Sequence, residues 1–381
     1  MKLFNAIFFL VILVCFNINV FGQAANQAEA DNSGRALLVT SSTLAGAGYG
    51  ATFQSVFDIQ SGRSLVGTYF LSTAAGFGTS FAITQNKKVS LPAANLAVGG
   101  QMLGYADGIA LSLLLGRDLE NGPDTKLLTS LGMTSSIGQT IFGYRYAQKN
   151  DLNMGRSSLI NMGHLWGLGY GLGFSQLFGF FEDNKEGYIR GTGATVLLSS
   201  MAGTAAGALL MPNKHYTNGD AIAIQTLGMI GAYLPFGFLE AAEPESDKVY
   251  ASTIMLSSAL GLGLGLHLLP KQNFTSSQGT LISLGAAVSG LFALGTTYVV
   301  SNDNTDTSVY LITSGLASTA GFFGMYKLFS NKKKDEKDEK IGYQFQVYPQ
   351  HFMAKNQGKN QEMTKQSLEN FMPLASLNLT F

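Results

Sequence analysis

Ten long segments almost without charge dominate this chain, at about 36–57, 64–83, 94–115, 127–144, 157–181, 191–211, 221–239, 249–269, 279–300 and 309–329, with Asp107 and Lys327 the exceptions among acidic and basic side chains. Most are apolar enough and long enough to cross a bilayer. They group into five units, near 34–91, 92–154, 155–218, 219–276 and 277–330. The unit starts look alike, as in Gly34-Arg35-Ala36-Leu37-Leu38, Gly155-Arg156-Ser157-Ser158-Leu159 and Gly219-Asp220-Ala221-Ile222-Ala223. Small residues then tend to fall eight, twelve and sixteen positions on, for example Ser42, Gly46 and Gly50, or Gly100, Gly104 and Gly108. A unit of two segments copied along a chain is a repeated hairpin. Pro92, Pro123, Pro212, Pro244 and Pro270 lie in the breaks, and Pro235 is the exception inside a segment.

The breaks alternate in charge. Loops within units hold 13 acidic and 6 basic residues, and turns between units hold 2 acidic and 7 basic. That is expected where alternate loops lie on opposite sides of a barrier. With net charge +0, 13% charged residues and 46 glycines in 381, the chain is too apolar for disorder. It has no basic footprint for nucleic acid.

Strands and helices both suit the spacing. Small residues four apart let membrane helices approach closely. Two segments favour strands. In Gly167-Leu168-Gly169-Tyr170-Gly171-Leu172-Gly173-Phe174 and in Leu260-Gly261-Leu262-Gly263-Leu264-Gly265-Leu266 every second residue is glycine. On a strand these glycines form one face, and on a helix they scatter round it. Segments 94–115, 191–211 and 221–239 are ambiguous. The segments also exceed the roughly 9–11 residues a tilted membrane strand needs.

The two ends supply an address. Residues 1–22 have the form of a signal peptide, with Lys2, an apolar run over 7–14, and a cleavage site before Gln23. Residues 23–35 form a short N-terminal segment. Cys15, the only cysteine, lies inside this leader in a poor lipid-attachment context, so the mature chain has no thiol chemistry. At the other end a charged turn, 331–341, precedes a closing hairpin, 342–381. Its last strand alternates Leu377, Leu379 and Phe381 with Ser376, Asn378 and Thr380. A leader together with a closing strand that ends in Phe381 resembles the bacterial outer-membrane β-barrel class. The resemblance is to an architecture and to no particular family. It implies an all-β fold over 36–381, a transmembrane antiparallel barrel of about twelve strands, and Phe381 as an assembly signal. It also implies barrel-assembly machinery as a partner beside the lipid bilayer.

On that reading Asp107, the one carboxylate well inside an apolar segment, and His267 face the lumen. His164 sits with bulky residues near Trp166, and Trp166, Tyr144, Arg145 and Tyr146 are membrane-interface candidates. No two histidines have metal-ligand spacing, no catalytic constellation or phosphate loop is evident, and no cofactor is implied. The expected function is passive passage of small solutes or a structural role, without enzyme activity. The alternative is a Gly/Ala-rich membrane protein of five helical hairpins with a packing or transport role, and a third reading, an outer-membrane lipid-modifying enzyme, would need a Ser or His cluster at one barrel rim.

Overall fold

The computed structural model describes residues 30–116, 124–181, 186–209, 216–270, 272–302, 305–330, 342–347 and 375–380. It is helical, and the expected barrel is absent. Ten helices occupy the ten segments: α1 (Ala30–Phe57), α2 (Gly62–Thr84), α3 (Leu91–Leu115), α4 (Thr125–Lys149), α5 (Met154–Leu177), α6 (Glu186–Leu209), α7 (Asn218–Ala242), α8 (Asp247–Leu268), α9 (Ser276–Val300) and α10 (Thr307–Ser330). Their lengths run from 22 to 28 residues. At 1.5 Å per residue that is about 33–42 Å, enough to cross a bilayer.

Local chemistry starts these helices where the breaks end. Ser61, Asp124, Asn153 and Ser246 each cap a helix with a side-chain oxygen. Thr217 with Asp220, and Thr275 with Gln278, form full capping boxes. Pro92 enters the first turn of α3, where its missing N–H costs nothing. Pro235 is accommodated inside α7.

The helices pair as α1/α2, α3/α4, α5/α6, α7/α8 and α9/α10. Successive hairpins then stack in order, with α1, α3, α5, α7 and α9 forming a continuous file. The four turns between hairpins therefore share one end of the array, and the loops within hairpins share the other.

The strand reading fails on a matter of period. A glycine at every second position contains a glycine at every fourth, and the helices use that subset. Gly163, Gly167 and Gly171 of α5 lie against Gly203, Ser199 and Val196 of α6. Gly261 and Gly265 of α8 lie against Leu227 and Ile224 of α7. The intervening Gly169 and Gly263 have open space where a side chain would stand. The eight, twelve, sixteen spacing is thus the seam of each hairpin. Gly46 and Gly50 meet α2, and Gly100, Gly104 and Gly108 meet α4.

A buried apolar core surrounds α7, with Leu159, Ile224, Ile282 and Phe322, but on α2 and α8 packing is inverted relative to a water-soluble protein. The buried residues of α2 are Ser72, Ser80 and Thr84, and those of α8 are Ser258 and Gly265. The buried hydroxyls of α2 are satisfied within their own helix, as Ser72 Oγ to Thr68 O at 2.8 Å and Thr84 Oγ1 to Ser80 O at 2.7 Å. The bulky apolar side chains point outward, with Phe70 at 72%, Phe292 at 75% and Val299 at 80% exposure. In water such a surface would aggregate; against lipid it is solvated, and close contact of small residues drives association instead. Five helices, α3, α7, α8, α9 and most of α6 (Gly187–Leu209), are individually long and apolar enough to span. The protein is a helical membrane protein.

The strands Gly342–Val347 (β1) and Ala375–Thr380 (β2) make one antiparallel pair, with Gly342 opposite Thr380 and Val347 opposite Ala375. It is a separate compact unit from the helices and closes no barrel. With the barrel goes the reason to invoke barrel-assembly machinery or a porin-like lumen. The leader at 1–22, the segment 23–29, the charged turn 331–341, the loop near 350–370 and the assembly-signal residue Phe381 lie outside the described residues.

Candidate functional site

The hairpins are stitched to one another at a fixed register of the repeat. Tyr49, fifteen positions after Gly34, reaches from α1 to Ser136 of α4 at 2.7 Å. Ser136 donates its own proton to Gln101 O, so the phenol of Tyr49 is the donor. Tyr170, fifteen after Gly155, reaches from α5 to Ser258 of α8 at 3.2 Å. Tyr233, fourteen after Gly219, stands beside Ser314 of α10 without hydrogen-bond geometry. The last unit has Phe292 at this register, and among the described residues it meets no further hairpin and faces out.

The second unit breaks the series. Fifteen positions after Pro92 stands Asp107. The shorter carboxylate on α3 has Ser200 of α6 as its cross-hairpin neighbour. Two further side chains fill the site. Gln139 of α4 donates Nε2 to Asp107 Oδ2 at 2.7 Å, and His164 Nε2 of α5 lies 3.0 Å from the same oxygen. The imidazole is at ion-pair distance but off the hydrogen-bond line, and Asp107 Oδ1 has Ser200 nearby but accepts no well-aligned hydrogen bond. Asp107 is 6% and His164 7% exposed. Four helices from two hairpins therefore converge on one buried acid and one buried base, inside the span.

Chemically this cluster can hold and pass a proton. An aspartate and a histidine in contact exchange between a neutral pair and an ion pair with no change in total charge, which lowers the cost of charge in a dry interior. A bare carboxylate oxygen can also take a donor from a guest. Nucleophilic catalysis does not follow. Ser200 donates to Leu197 O at 3.0 Å and neighbours the carboxylate rather than the imidazole, so no base activates it. Among the described residues no group of three His, Cys, Asp or Glu could hold a metal ion.

The other sequence candidates lie apart. His267 is exposed in the last turn of α8, and without a barrel there is no lumen for it to face. Trp166 is near the middle of α5, packed against α7 and α8, with its ring 5.8 Å from Tyr170. Tyr144, Arg145 and Tyr146 lie in the last two turns of α4, where Tyr144 and Tyr146 are half-buried and Arg145 is exposed. His164 is buried beside Asp107 rather than at an interface. Gln139 and Ser200 carried no signal of their own, but aligning the units on their first residue exposes Asp107 as the odd member of a tyrosine series.

The stitches themselves are modest. Tyr49→Phe removes one interhelical hydrogen bond and leaves Ser136 bonded to Gln101 O, so we expect a loss of about 0.5–1.5 kcal/mol. Phe292→Tyr, which meets no further hairpin among the described residues, leaves the unfolding midpoint in detergent unchanged.

No protein-family model, curated protein or solved structure matches this chain.

Proposed function

We propose that the protein is a non-enzymatic membrane carrier, in which Asp107 and His164 take up and release a proton as a small solute crosses. The observation that carries this reading is Asp107 Oδ1, which accepts no well-aligned hydrogen bond, buried within the span and beside a base. A buried ionisable group in a membrane segment is costly to keep and is a functional candidate for that reason. The test is proton flux into liposomes containing the purified protein, driven by an imposed membrane potential and read by an internal pH-sensitive dye. Flux should be well above protein-free liposomes, fall to background in Asp107→Asn, and persist in Asp107→Glu. Equal flux in wild type and Asp107→Asn overturns the proposal.

A purely structural array is the second reading. The hydroxyl contacts at the same register, Tyr49 to Ser136 and Tyr170 to Ser258, favour it, because there the position only joins hairpins.

The outer membrane is proposed as the particular address, supported by the leader-like residues 1–22 alone. Fractionation decides it, and co-sedimentation with inner-membrane markers would overturn it.

A further inference from the structure

A cleft of about 160 Å³ opens between α3, α5 and α7, in the file formed by the first helix of each hairpin. Its polar lining is neutral: Asn95, Ser158, Asn161, Asn218 and Gln225. No charged side chain borders it. The amides lie near the helix starts, since Asn218 opens α7, and Asn95 and Ser158 are four residues into α3 and α5. Deeper along the same helices the lining turns apolar, through Met102 and Leu165. At 1.5 Å per residue the change falls about 10–16 Å inside the helix ends.

Some of this polarity is already used. Asn95 Nδ2 donates to Ser157 and Ser158, Ser158 donates to Asn218 Oδ1, and Asn218 Nδ2 donates to Ser276. Asn161 Nδ2 donates to Asn95 O at 2.9 Å, and its amide lies where a side chain on Gly99 would stand. Gln225 bonds no described protein group. The cleft therefore offers a free amide above an apolar floor, held in place by a ladder that spans three hairpin junctions.

The floor continues out of the cleft. One and two turns beyond Leu165 on the same stripe are Gly169, with open space beside it, and Leu172, which is exposed. On α3 the stripe through Met102 continues to Ile109, and both are exposed. A shallow apolar channel thus runs towards the bilayer centre from an uncharged hydrogen-bonding head.

We propose that this cleft binds an uncharged lipid whose headgroup carries hydroxyl groups, with the amides on the headgroup and the acyl chain over Met102 and Gly169. A charged headgroup finds no counter-charge here. A cavity of 160 Å³ is too small for a whole lipid, so the chain must leave along the channel. The amphiphile would stand as it does in the bilayer, head at the helix ends and chain inward.

Trp166, the single tryptophan in the chain, adjoins Leu165 and serves as the reporter. The full chain is placed in phosphatidylcholine nanodiscs, and glucosyl diacylglycerol with brominated chains is titrated in. Quenching should saturate at a mole fraction at least fivefold below that needed by brominated phosphatidylcholine or phosphatidylglycerol. Gln225→Leu should remove most of that preference. Gly169→Leu, which fills open space without touching the amides, should do the same. Wild-type melting behaviour and unchanged quenching by bulk brominated phosphatidylcholine show that both variants are folded. Equal quenching by all three lipids overturns the proposal. So does displacement of the lipid by millimolar free glucose, which would make the site one for a soluble sugar.

Discussion

His164→Leu is expected to cost the helical array about 3 kcal/mol or more, and adding Asp107→Leu to recover most of that loss. In the wild type, Asp107 Oδ2 faces both Gln139 and His164, while Oδ1 accepts no well-aligned hydrogen bond. Removing the imidazole leaves the carboxylate with the Gln139 amide and the Ser200 hydroxyl beside it in a dry interior. The carboxyl can escape by taking a proton, which caps the penalty, but a protonated acid still carries an unmet acceptor. Replacing both members with apolar groups removes the acid and the base together, and leaves Gln139 with Ser135 and Ser200 with Leu197 O as partners. The singles and the double, measured as unfolding midpoints in mixed detergent micelles, therefore form a cycle with a coupling well above 1 kcal/mol. Small, additive effects would mean that the two side chains do not act as a pair, and the carrier proposal would lose its centre.

The second large effect is a contrast between glycines six residues apart in α5. Gly163 lies against the carbonyl of Gly203, and Gly203 lies in turn against the carbonyl of Gly163. A methyl group at either position has no room, and the obstacle is backbone, which cannot rotate away. Gly163→Ala should therefore push α5 and α6 apart and cost about 1–3 kcal/mol or more. Gly169→Ala meets nothing and should gain up to about 1 kcal/mol from helix propensity. The same chemical change thus has opposite signs on two faces of one helix. Thermal melts in a single detergent decide it. Equal effects at the two positions would contradict the packing seam.

Much of the architecture was legible before any coordinates. Uncharged length marked ten segments, and the glycine spacing marked the seam along which each hairpin closes. What misled was the reading of Gly167 to Gly173 and Gly261 to Gly265 as two-residue periods. A helical seam needs only every fourth small residue; of the extra glycines, Gly169 and Gly263 lie on the outward face, where lipid tolerates anything apolar, and Gly173 meets Met255 of α8. The Phe-ended tail pulled in the same direction, although its strand pairs only with Gly342–Val347. The site was half legible. Asp107 stood out as a charge in an apolar run, whereas His164 was grouped by alternation with the bulky residues around Trp166. Helical geometry turns it onto Asp107 instead. Gln139 and Ser200 could be found only through the third dimension, or through the repeat register that sets Asp107 against Tyr49, Tyr170 and Tyr233.

The most direct test is a nitroxide scan of residues 163 to 173 in bilayers, reading collision with oxygen, which partitions into lipid, against a water-soluble relaxing agent. With the seam glycines 163, 167 and 171 left in place, helical hairpins in a membrane require oxygen exposure at 169 and 172, low exposure at 164 and 168, a repeat near 3.6, and little contact with the aqueous agent throughout. Exposure alternating at every second residue would restore the strand. Strong contact with the aqueous agent at 169 and 172 would take the helices out of the membrane.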